Sequence, residues 1–260
     1  MAAWYTGPTM TQAQLQTTPD GAIVFDPGLS AQATGFNPDF FEPVYWHAQN
    51  RLTEGFGGRG GISYVDAPSG QWVLRHYRRG GMIASALGDR YLWTGAGRTR
   101  GFAEFHLLAA LRTRGLLVPI PVAARYQRRG THYRADLITR RIEHAATLAE
   151  SLAHDRCDAP VMARVGAAIA RFHAAGAYHA DLNAHNVLLT DAQVWLIDFD
   201  RGELRQPTRP WQQANLSRLQ RSLHKLGASR EGEAVFERAL WNPLIAAYKH
   251  QLTNLSGARG

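Results

Sequence analysis

Residues 179–198 contain polar side chains whose types and spacing suit phosphoryl transfer. His179, Asp181 and Asn186 form the pattern H-x-D-x-x-x-x-N, and Asp198 follows after an apolar stretch. In such a reaction one carboxylate accepts the proton of the attacking hydroxyl, while an amide oxygen and a second carboxylate hold the Mg²⁺ that bridges nucleotide phosphates. The pattern therefore predicts Asp181 as the catalytic base and Asn186 with Asp198 as metal ligands.

This stretch resembles the catalytic loop of the protein kinase-like fold. Two short strand candidates, 187–189 and 194–197, flank a turn beside it, so a chance cluster of polar residues is disfavoured. His179 and Asp200 are expected to support the loop. The glycine of the kinase motif Asp-Phe-Gly is replaced by Asp200, and the arginine that reads activation-loop phosphorylation is replaced by Ala180. We therefore do not expect regulation through an activation loop.

A glycine-rich segment precedes the first strong strand candidate. Gly55, Gly57 and Gly60 fit G-x-G-x-x-G, whose small residues let backbone N–H groups approach phosphates. A second register through Gly58, Gly60 and Gly61 is also open, and a flexible turn explains the glycines equally well. The segment is predicted to bind nucleotide through the first register.

The sequence WVLR places Arg75 where kinase folds usually carry a phosphate-binding lysine. Glu104, on the next predicted helix, matches the glutamate that pairs with that lysine. Both lysines of the chain, Lys225 and Lys249, lie beyond the catalytic loop, so Arg75 must take the phosphate role if any residue does. Arginine has a fixed charge and a planar fork that suit phosphates, although it does not replace lysine freely. A surface arginine without nucleotide contact is the alternative.

The elements that must position these residues fall into two groups. The first half of the chain predicts a strand, two hairpins and one helix: 22–25, 62–65 with 71–77, 119–126 with 132–139, and 101–115. The second half predicts three helices and a short hairpin: 159–175, 212–226, 231–252, and 187–189 with 194–197. This order predicts an α+β, bilobed protein kinase-like fold, with a β-rich N-terminal lobe carrying one helix and a mostly helical C-terminal lobe.

Three parts are predicted along the chain. They are an N-terminal extension that packs on the body, a nucleotide-binding lobe and a catalytic lobe: 1–54, 55–143 and 144–260. The extension carries four aromatic residues at near-helical spacing: Phe40, Phe41, Tyr45 and Trp46. These side chains are expected to attach the extension to the body, and contact with a membrane surface is the alternative.

Composition limits the classes of protein that this chain can represent. Its 260 residues are 45% hydrophobic and 19% charged, which is ordinary for a globular protein. The longest apolar stretch, 116–124, is broken by Pro119 and Pro121, so no membrane-spanning segment is predicted. The N-terminus lacks a secretory pattern, and the single cysteine, Cys157, predicts no internal disulfide; both favour a cytoplasmic location.

The charge balance predicts an anionic partner. The formal net charge is +8, and all but two of the 29 basic residues are arginine. No nucleic-acid-binding module is recognisable, so nucleic acid is not an expected partner. Four histidines lack the paired spacing of a zinc site and are interpreted as core or loop residues: His76, His106, His173 and His185.

Six segments together resemble the 3-deoxy-D-manno-octulosonic acid (Kdo) kinases of the lipopolysaccharide kinase family: WVLRHYRRGG, FAEF, YRADLIT, IARFH, HADLNAHN and WLIDFDRGE. The resemblance covers about residues 55–226. It implies ATP- and Mg²⁺-dependent phosphorylation of the 4-hydroxyl of Kdo on a lipid A precursor. It also implies a peripheral protein at the cytoplasmic face of the inner membrane of a Gram-negative bacterium, docked on anionic lipid.

An acceptor with a carboxylate and phosphates requires a cationic site. Five arginines are candidates for it, although a solvated or structural role is the alternative for each: Arg78, Arg79, Arg98, Arg100 and Arg201.

Two other functions compete with this interpretation. A soluble kinase for an aminoglycoside or a choline-like alcohol would need an acidic pocket for a cationic substrate, which an arginine-rich chain disfavours. A catalytically inactive kinase fold that serves as a scaffold is disfavoured because Asp181, Asn186 and Asp198 are all present.

Overall fold

The structure is a computed structural model of the chain. It describes four stretches: 13–29, 35–54, 61–78 and 88–257. Five residues singled out from the sequence therefore lie outside the described residues: Gly55, Gly57, Gly58, Gly60 and Arg79.

Contacts divide the chain into two compact units. The N-terminal unit comprises 1–113 and 119–141, and the C-terminal unit comprises 114–118 and 142–260. The first unit is rich in strands and the second in helices, so the predicted α+β class is confirmed. The domain boundaries predicted at residues 54 and 143 stay a prediction.

The N-terminal unit is built on an antiparallel sheet. Its strands are β1 Gln14–Thr18, β2 Gly21–Phe25, β3 Leu52–Glu54, β4 Ile62–Ala67, β5 Gly70–His76, β6 Tyr91–Leu92, β7 Pro121–Arg129 and β8 His132–Arg140. The order across the sheet is β1-β2-β7-β8-β5-β4-β3, and β6 pairs with β8. The predicted strand β2 and the hairpins β4–β5 and β7–β8 are confirmed.

Helix α2, Arg100–Thr113, packs on this sheet against β7 and β8. A Cβ atom at Gly101 would lie 2.6 Å from the backbone oxygen of Asp136, so glycine permits a close approach of helix and sheet. Phe105 and Leu108, which the apolar spacing predicts on one face, are buried on α2 together with Leu111. The same face presents Glu104 toward the sheet.

The predicted aromatic segment forms a 3₁₀ turn, Pro38–Phe41, and helix α1, Pro43–Ala48. Phe40, Phe41 and Trp46 are buried in one core with Trp72 of β5. The indole Nε1 of Trp46 donates a hydrogen bond to the backbone oxygen of Phe40 at 2.9 Å. The prediction that this segment attaches to the body is confirmed. The burial of Phe40, Phe41 and Trp46 disfavours the alternative that these three side chains touch a membrane surface.

Helices dominate the C-terminal unit. They are α3 Leu148–Ala153, α4 Ala159–Ala174, α5 Arg209–Lys225, α6 Glu233–Phe236, a π-helical turn Glu237–Trp241, and α7 Asn242–Gly257. Short strands form two small sheets: β9 Ala146–Thr147 with β11 Val187–Leu189 and β12 Val194–Leu196, and β10 Ala177–Tyr178 with β13 Glu203–Leu204. The predicted hairpin and the helix predicted over 159–175 are confirmed, and α5 begins three residues before its predicted start. The single helix predicted over 231–252 is instead divided into α6, the π-helical turn and α7, and it ends five residues later.

Helix α4 is the buried centre of this unit. Its N-cap is Asp158, whose carboxylate accepts a hydrogen bond from the backbone N–H of Val161 at 2.9 Å. Val165, Ile169 and Phe172 are buried on it, and α7 packs along it. In the described part of the chain, no helix combines the length and the apolarity needed to cross a bilayer.

Candidate active site

The predicted phosphoryl-transfer loop runs from the end of β10 to the start of β11. Its centre is a 3₁₀ turn, Ala184–Asn186, capped by Asn183. The side-chain oxygen of Asn183 accepts hydrogen bonds from the backbone N–H groups of His185 at 2.8 Å and Asn186 at 3.2 Å. The side-chain nitrogen of Asn186 donates to the backbone oxygen of Asp181 at 2.9 Å. The loop is therefore held in shape by its own amide side chains.

His179 is buried and joins this loop to the segment before Asp198. The backbone N–H of Asp181 donates to its Nδ1 at 3.1 Å, so Nδ1 carries no proton. Its Nε2 then bears the proton and donates to the backbone oxygen of Ile197 at 2.9 Å. Burial lowers the pKa of His179, which agrees with a neutral ring. The imidazole thus links the two segments without adding a charge to the site.

Asp181 presents its carboxylate at the surface, with 59% of the side chain exposed. One oxygen, Oδ1, accepts from Nη1 of Arg218 at 3.2 Å, and the other, Oδ2, accepts from the amide of Asn183 at 3.1 Å. Both contacts fix the orientation of the carboxylate while leaving it open to solvent. A carboxylate held in this way can accept a proton from an incoming hydroxyl.

Helix α5 supplies contacts that the sequence pattern did not predict. Besides Arg218, it carries Asn215, whose amide donates to the backbone oxygen of His179 at 2.9 Å, and Ser222, whose hydroxyl accepts from the backbone N–H of Ala184 at 3.1 Å. These residues follow their loop partners by 36 to 38 positions in the chain. No local spacing marks them, because the contacts exist only once α5 has packed against the loop.

The two predicted metal ligands lie at the same end of the β11–β12 hairpin. Asn186 directly precedes β11, and the backbone N–H of Ile197, next to Asp198, donates to the backbone oxygen of Asn186 at 3.0 Å. Since the amide nitrogen of Asn186 donates to Asp181, its side-chain oxygen is the atom left to coordinate a cation. Asp198 has a left-handed backbone, with φ of 62°.

This pair of oxygen donors fits Mg²⁺. That ion prefers oxygen ligands and is commonly held by one or two protein carboxylates, with phosphates and water completing the octahedron. Among the described residues no group of three or more His, Cys, Asp and Glu side chains is arranged to hold a metal ion. A site completed by nucleotide phosphates does not need such a group.

In the N-terminal unit the structure brings Arg75 and Glu104 together. Nη1 of Arg75, on β5, lies 3.2 and 3.3 Å from the two carboxylate oxygens of Glu104, on α2. The hydroxyl of Tyr77 donates to the same carboxylate at 2.6 Å, and the guanidinium of Arg75 lies 4.8 Å from the centre of the Tyr77 ring. Glu104 is buried and Arg75 is partly exposed. The role of this cluster toward nucleotide stays a prediction.

Four of the five arginines proposed for the acceptor lie in the described stretches, and their surroundings differ. The guanidinium of Arg100 lies over the ring of Tyr91 at 4.4 Å, and Arg98 belongs to a short 3₁₀ turn in the same unit. Arg78 is exposed in the N-terminal unit, while Arg201 is 72% exposed in the C-terminal unit, 4.0 Å from the carboxylate of Asp200. Acceptor binding by these residues, and loop support by Asp200, stay predictions.

Two other histidines, His173 and His76, hydrogen-bond side chains outside the loop, and the single cysteine is half-buried. His173 of α4 hydrogen-bonds the hydroxyl of Tyr248 at 2.9 Å, and burial lowers its pKa to about 4. His76 lies between the carboxylates of Asp136 at 2.6 Å and Asp89 at 3.0 Å, and the bond to Asp136 raises its pKa. Burial raises the pKa of Cys157 to about 11, so it is a poor nucleophile at neutral pH.

Comparison with known proteins gives consistent matches. The profile of the lipopolysaccharide kinase (Kdo/WaaP) family matches residues 44–248. A protein named 3-deoxy-D-manno-octulosonic acid kinase from Xanthomonas oryzae pv. oryzae (strain PXO99A) is 51% identical over 216 residues, which cover 83% of this chain and 85% of that protein. A protein of the same name from Stenotrophomonas maltophilia (strain R551-3) is 49% identical with the same coverage.

Two solved structures resemble the fold of this chain. One is WaaP in complex with acyl carrier protein, with a TM-score of 0.51 and 16% identity, covering 90% of this chain and 98% of that one. The other is a glucosamine kinase in complex with glucosamine, ADP and inorganic phosphate, with a TM-score of 0.50 and 15% identity, covering 96% of this chain and 84% of that one. At these identities the likeness concerns the fold alone, and it confirms the predicted kinase-like fold.

Proposed function

Because this chain belongs to the lipopolysaccharide kinase (Kdo/WaaP) family, we propose that it transfers the terminal phosphoryl group of ATP to the 4-hydroxyl of Kdo on a lipid A precursor. As a member of this family, the chain is a phosphotransferase of lipopolysaccharide biosynthesis. The observation that carries the proposal is the exposed carboxylate of Asp181, held at both oxygens within a loop that is fixed by its own amides.

Asp181 would act as the general base. The acceptor hydroxyl attacks the terminal phosphorus, its proton passes to the Asp181 carboxylate, and the bond from that phosphorus to the bridging oxygen breaks so that ADP leaves. Asn183 and Arg218 hold the carboxylate through one oxygen each, so its rotation is restricted before the acceptor binds. Orientation of this kind lowers the entropic cost of reaching the transition state.

Asn186 and Asp198 would hold Mg²⁺ through oxygen atoms. When bound, the ion neutralises negative charge on the phosphate oxygens. The chain's contribution is to keep the two donors at one end of a short hairpin, through the bond between the backbone groups of Ile197 and Asn186. His179, neutral and bonded on both nitrogens, keeps this hairpin in register with the loop of Asp181.

Arg75 would bind phosphate in place of a lysine. Glu104 and Tyr77 hold its guanidinium on β5, and the planar fork of five N–H donors suits phosphate oxygens as well as a carboxylate. The glycine segment at Gly55, Gly57 and Gly60 is proposed to cover the same phosphates.

The protein is proposed to work at the cytoplasmic face of the inner membrane as a peripheral protein. The support for this is the chemistry of the proposed acceptor, which is a lipid, and the net charge of +8, which favours an anionic lipid surface.

Acceptor choice tests the proposed function. Purified protein is incubated with Mg²⁺, labelled ATP and, in separate reactions, a Kdo-lipid A precursor, an aminoglycoside and a generic peptide. We expect label only in the Kdo-lipid A precursor, and none with Asp181→Asn. Transfer to the aminoglycoside or the peptide would replace the proposed acceptor, and transfer to none of the three would support the inactive scaffold.

A further inference from the structure

Helix α5 presents a cationic face, formed by Arg218, Arg221 and Lys225. All three residues are exposed, and their spacing of three and four places them on one side of the helix. They span about 10 Å along the axis. The helix, Arg209–Lys225, contains no aspartate or glutamate. This side of the helix therefore carries three positive charges and no negative charge of its own.

This α5 cationic face begins at the proposed catalytic base. Nη1 of Arg218 lies 3.2 Å from Oδ1 of Asp181. Two further bonds fix the register of the helix against the loop, from Asn215 to His179 and from Ala184 to Ser222. Arg218 and Arg221 both lie between Asn215 and Ser222 along the helix. Their backbone positions are thus set with respect to Asp181 by the packing of α5.

Stability does not explain the α5 cationic face. An exposed ion pair such as Arg218 with Asp181 contributes about 0–1 kcal/mol. Among the described residues Arg221 and Lys225 have no carboxylate within ion-pair distance, and like charges at this spacing are slightly destabilising. The helix dipole favours a cation in the last turn, which accounts for Lys225 alone. A face of this kind gains favourable interactions only when an anion binds.

We propose that the α5 cationic face binds the anionic groups of the acceptor, carboxylate or phosphate, and so holds the acceptor hydroxyl at Asp181. This inference rests on the proposed function and names the surface that recognises its substrate. Arg221 and Lys225 pair with the oxyanions of the sugar lipid. Arg218, on the same side of the helix, contacts Asp181, so the bound acceptor lies beside that carboxylate. Arginine suits this task because its planar fork binds oxyanions through two N–H groups.

Kinetics of neutral variants test the inference. Arg221→Gln and Lys225→Gln are compared with Arg238→Gln and Lys249→Gln, which remove exposed cations from the π-helical turn and from α7 of the same unit. We expect each α5 variant to raise KM for the Kdo-lipid A precursor about tenfold, the loss of roughly one charged hydrogen bond. KM for ATP and kcat should change less than about twofold, and the melting temperature should change by less than about 2 °C. The two control variants should behave as wild type.

A second acceptor shows whether the α5 cationic face binds the lipid phosphates or the carboxylate of Kdo. The same precursor without its lipid phosphates should show no KM effect of the α5 variants if the face binds phosphate, and the full effect if it binds the carboxylate of Kdo. Unchanged KM for both acceptors, or a rise in KM for ATP instead, would overturn the inference.

A binding measurement without ATP separates this inference from the proposed reaction. The detergent-solubilised precursor is titrated into wild type, Arg221→Gln/Lys225→Gln and Arg238→Gln/Lys249→Gln. Tight binding to wild type and the control, with weaker binding to the α5 double variant, supports the inference even if no phosphate is transferred. Equal binding to all three proteins, or no binding to any, would overturn it even if wild type transfers phosphate.

Discussion

Asp181 shows how little the local sequence reveals of a catalytic environment. Its loop partner Asn183 is two residues away in sequence, but Arg218 comes from a helix 37 residues away. Nη1 of Arg218 contacts one carboxylate oxygen of Asp181 at 3.2 Å. The amide on the other oxygen sets its direction. In the proposed role of Asp181 as general base, its carboxylate is oriented before the acceptor binds, which favours proton transfer from a hydroxyl.

Arg75 and Glu104 form a contact that can be tested as a pair. Arg75→Ala and Glu104→Gln should each raise KM for ATP about tenfold, because each removes one side of the 3.2 Å contact that directs the guanidinium. The double variant should lose little more than either single variant, since residues in contact are not additive. Steady-state kinetics give the comparison, with the exposed Arg129→Ala on β7 as a control. Fully additive losses would show that the two side chains act independently.

Asp198 should control the magnesium requirement. Asp198→Asn keeps the shape of the side chain and removes its charge, so the Mg²⁺ concentration for half-maximal rate should rise by about tenfold while the maximal rate falls. Asp191→Asn serves as the matched control, because Asp191 is an exposed carboxylate on the turn of the same hairpin. A Mg²⁺ titration identical to wild type would remove Asp198 from the metal site.

At the scale of elements, the packing of α4 against α7 depends on one glycine. A Cβ atom at Gly166 would lie 2.0 Å from the backbone oxygen of Leu244, and a backbone atom cannot move aside cheaply. Gly166→Ala should therefore destabilise the protein by about 1–3 kcal/mol, seen as a melting temperature several degrees lower. Gly97→Ala is the control, because a Cβ there meets no atom within 4 Å. Equal melting temperatures for the two variants would contradict this account of the helix contact.

The helices and strands predicted from the sequence are those whose local pattern of capping, apolar and turn residues is strong. Helix α4 carries a cap, an early proline and an apolar face, and the hairpin β4–β5 has strand residues around a clear turn. Strand β1 was missed because QLQTT is polar and mostly exposed; it pairs at the sheet edge because the buried strand β2 offers it hydrogen bonds. Arg218 was missed for a related reason. Its contact with Asp181 forms only when α5 packs on the loop, and no pattern of neighbouring residues in the sequence marks it.

At the scale of the whole molecule, the charge of the protein is its most distinctive property. Nearly all of its cations are arginines, and the net charge is +8. The aromatic segment around Trp46 is buried in the N-terminal unit. Among the described residues, we therefore expect exposed cations rather than the buried Phe40, Phe41 and Trp46 to attract an anionic membrane surface.

Electrostatic docking predicts strong dependence on salt. Each basic residue near an anionic lipid surface contributes about 1 kcal/mol, and exposed charges are screened over about 8 Å at physiological ionic strength. In a co-sedimentation assay the protein should pellet with anionic vesicles at low salt and be released at roughly 0.5 M salt, where the screening length is shorter. Equal binding to neutral vesicles, or none to anionic ones, would exclude this mode of docking without affecting the kinase reaction.

The central claim is that Asp181 directs the phosphoryl group of ATP to the 4-hydroxyl of Kdo, and the structure of the product tests it most directly. Wild type and Asp181→Asn are incubated with Mg²⁺, ATP and the Kdo-lipid A precursor, and the product is located by ³¹P and ¹H NMR. We predict a single new phosphate on the 4-oxygen of Kdo, formed by the variant at a rate lower by about 10²- to 10⁴-fold while the variant stays folded and binds ATP. A phosphate on another position, or turnover by Asp181→Asn close to that of wild type, would contradict the claim.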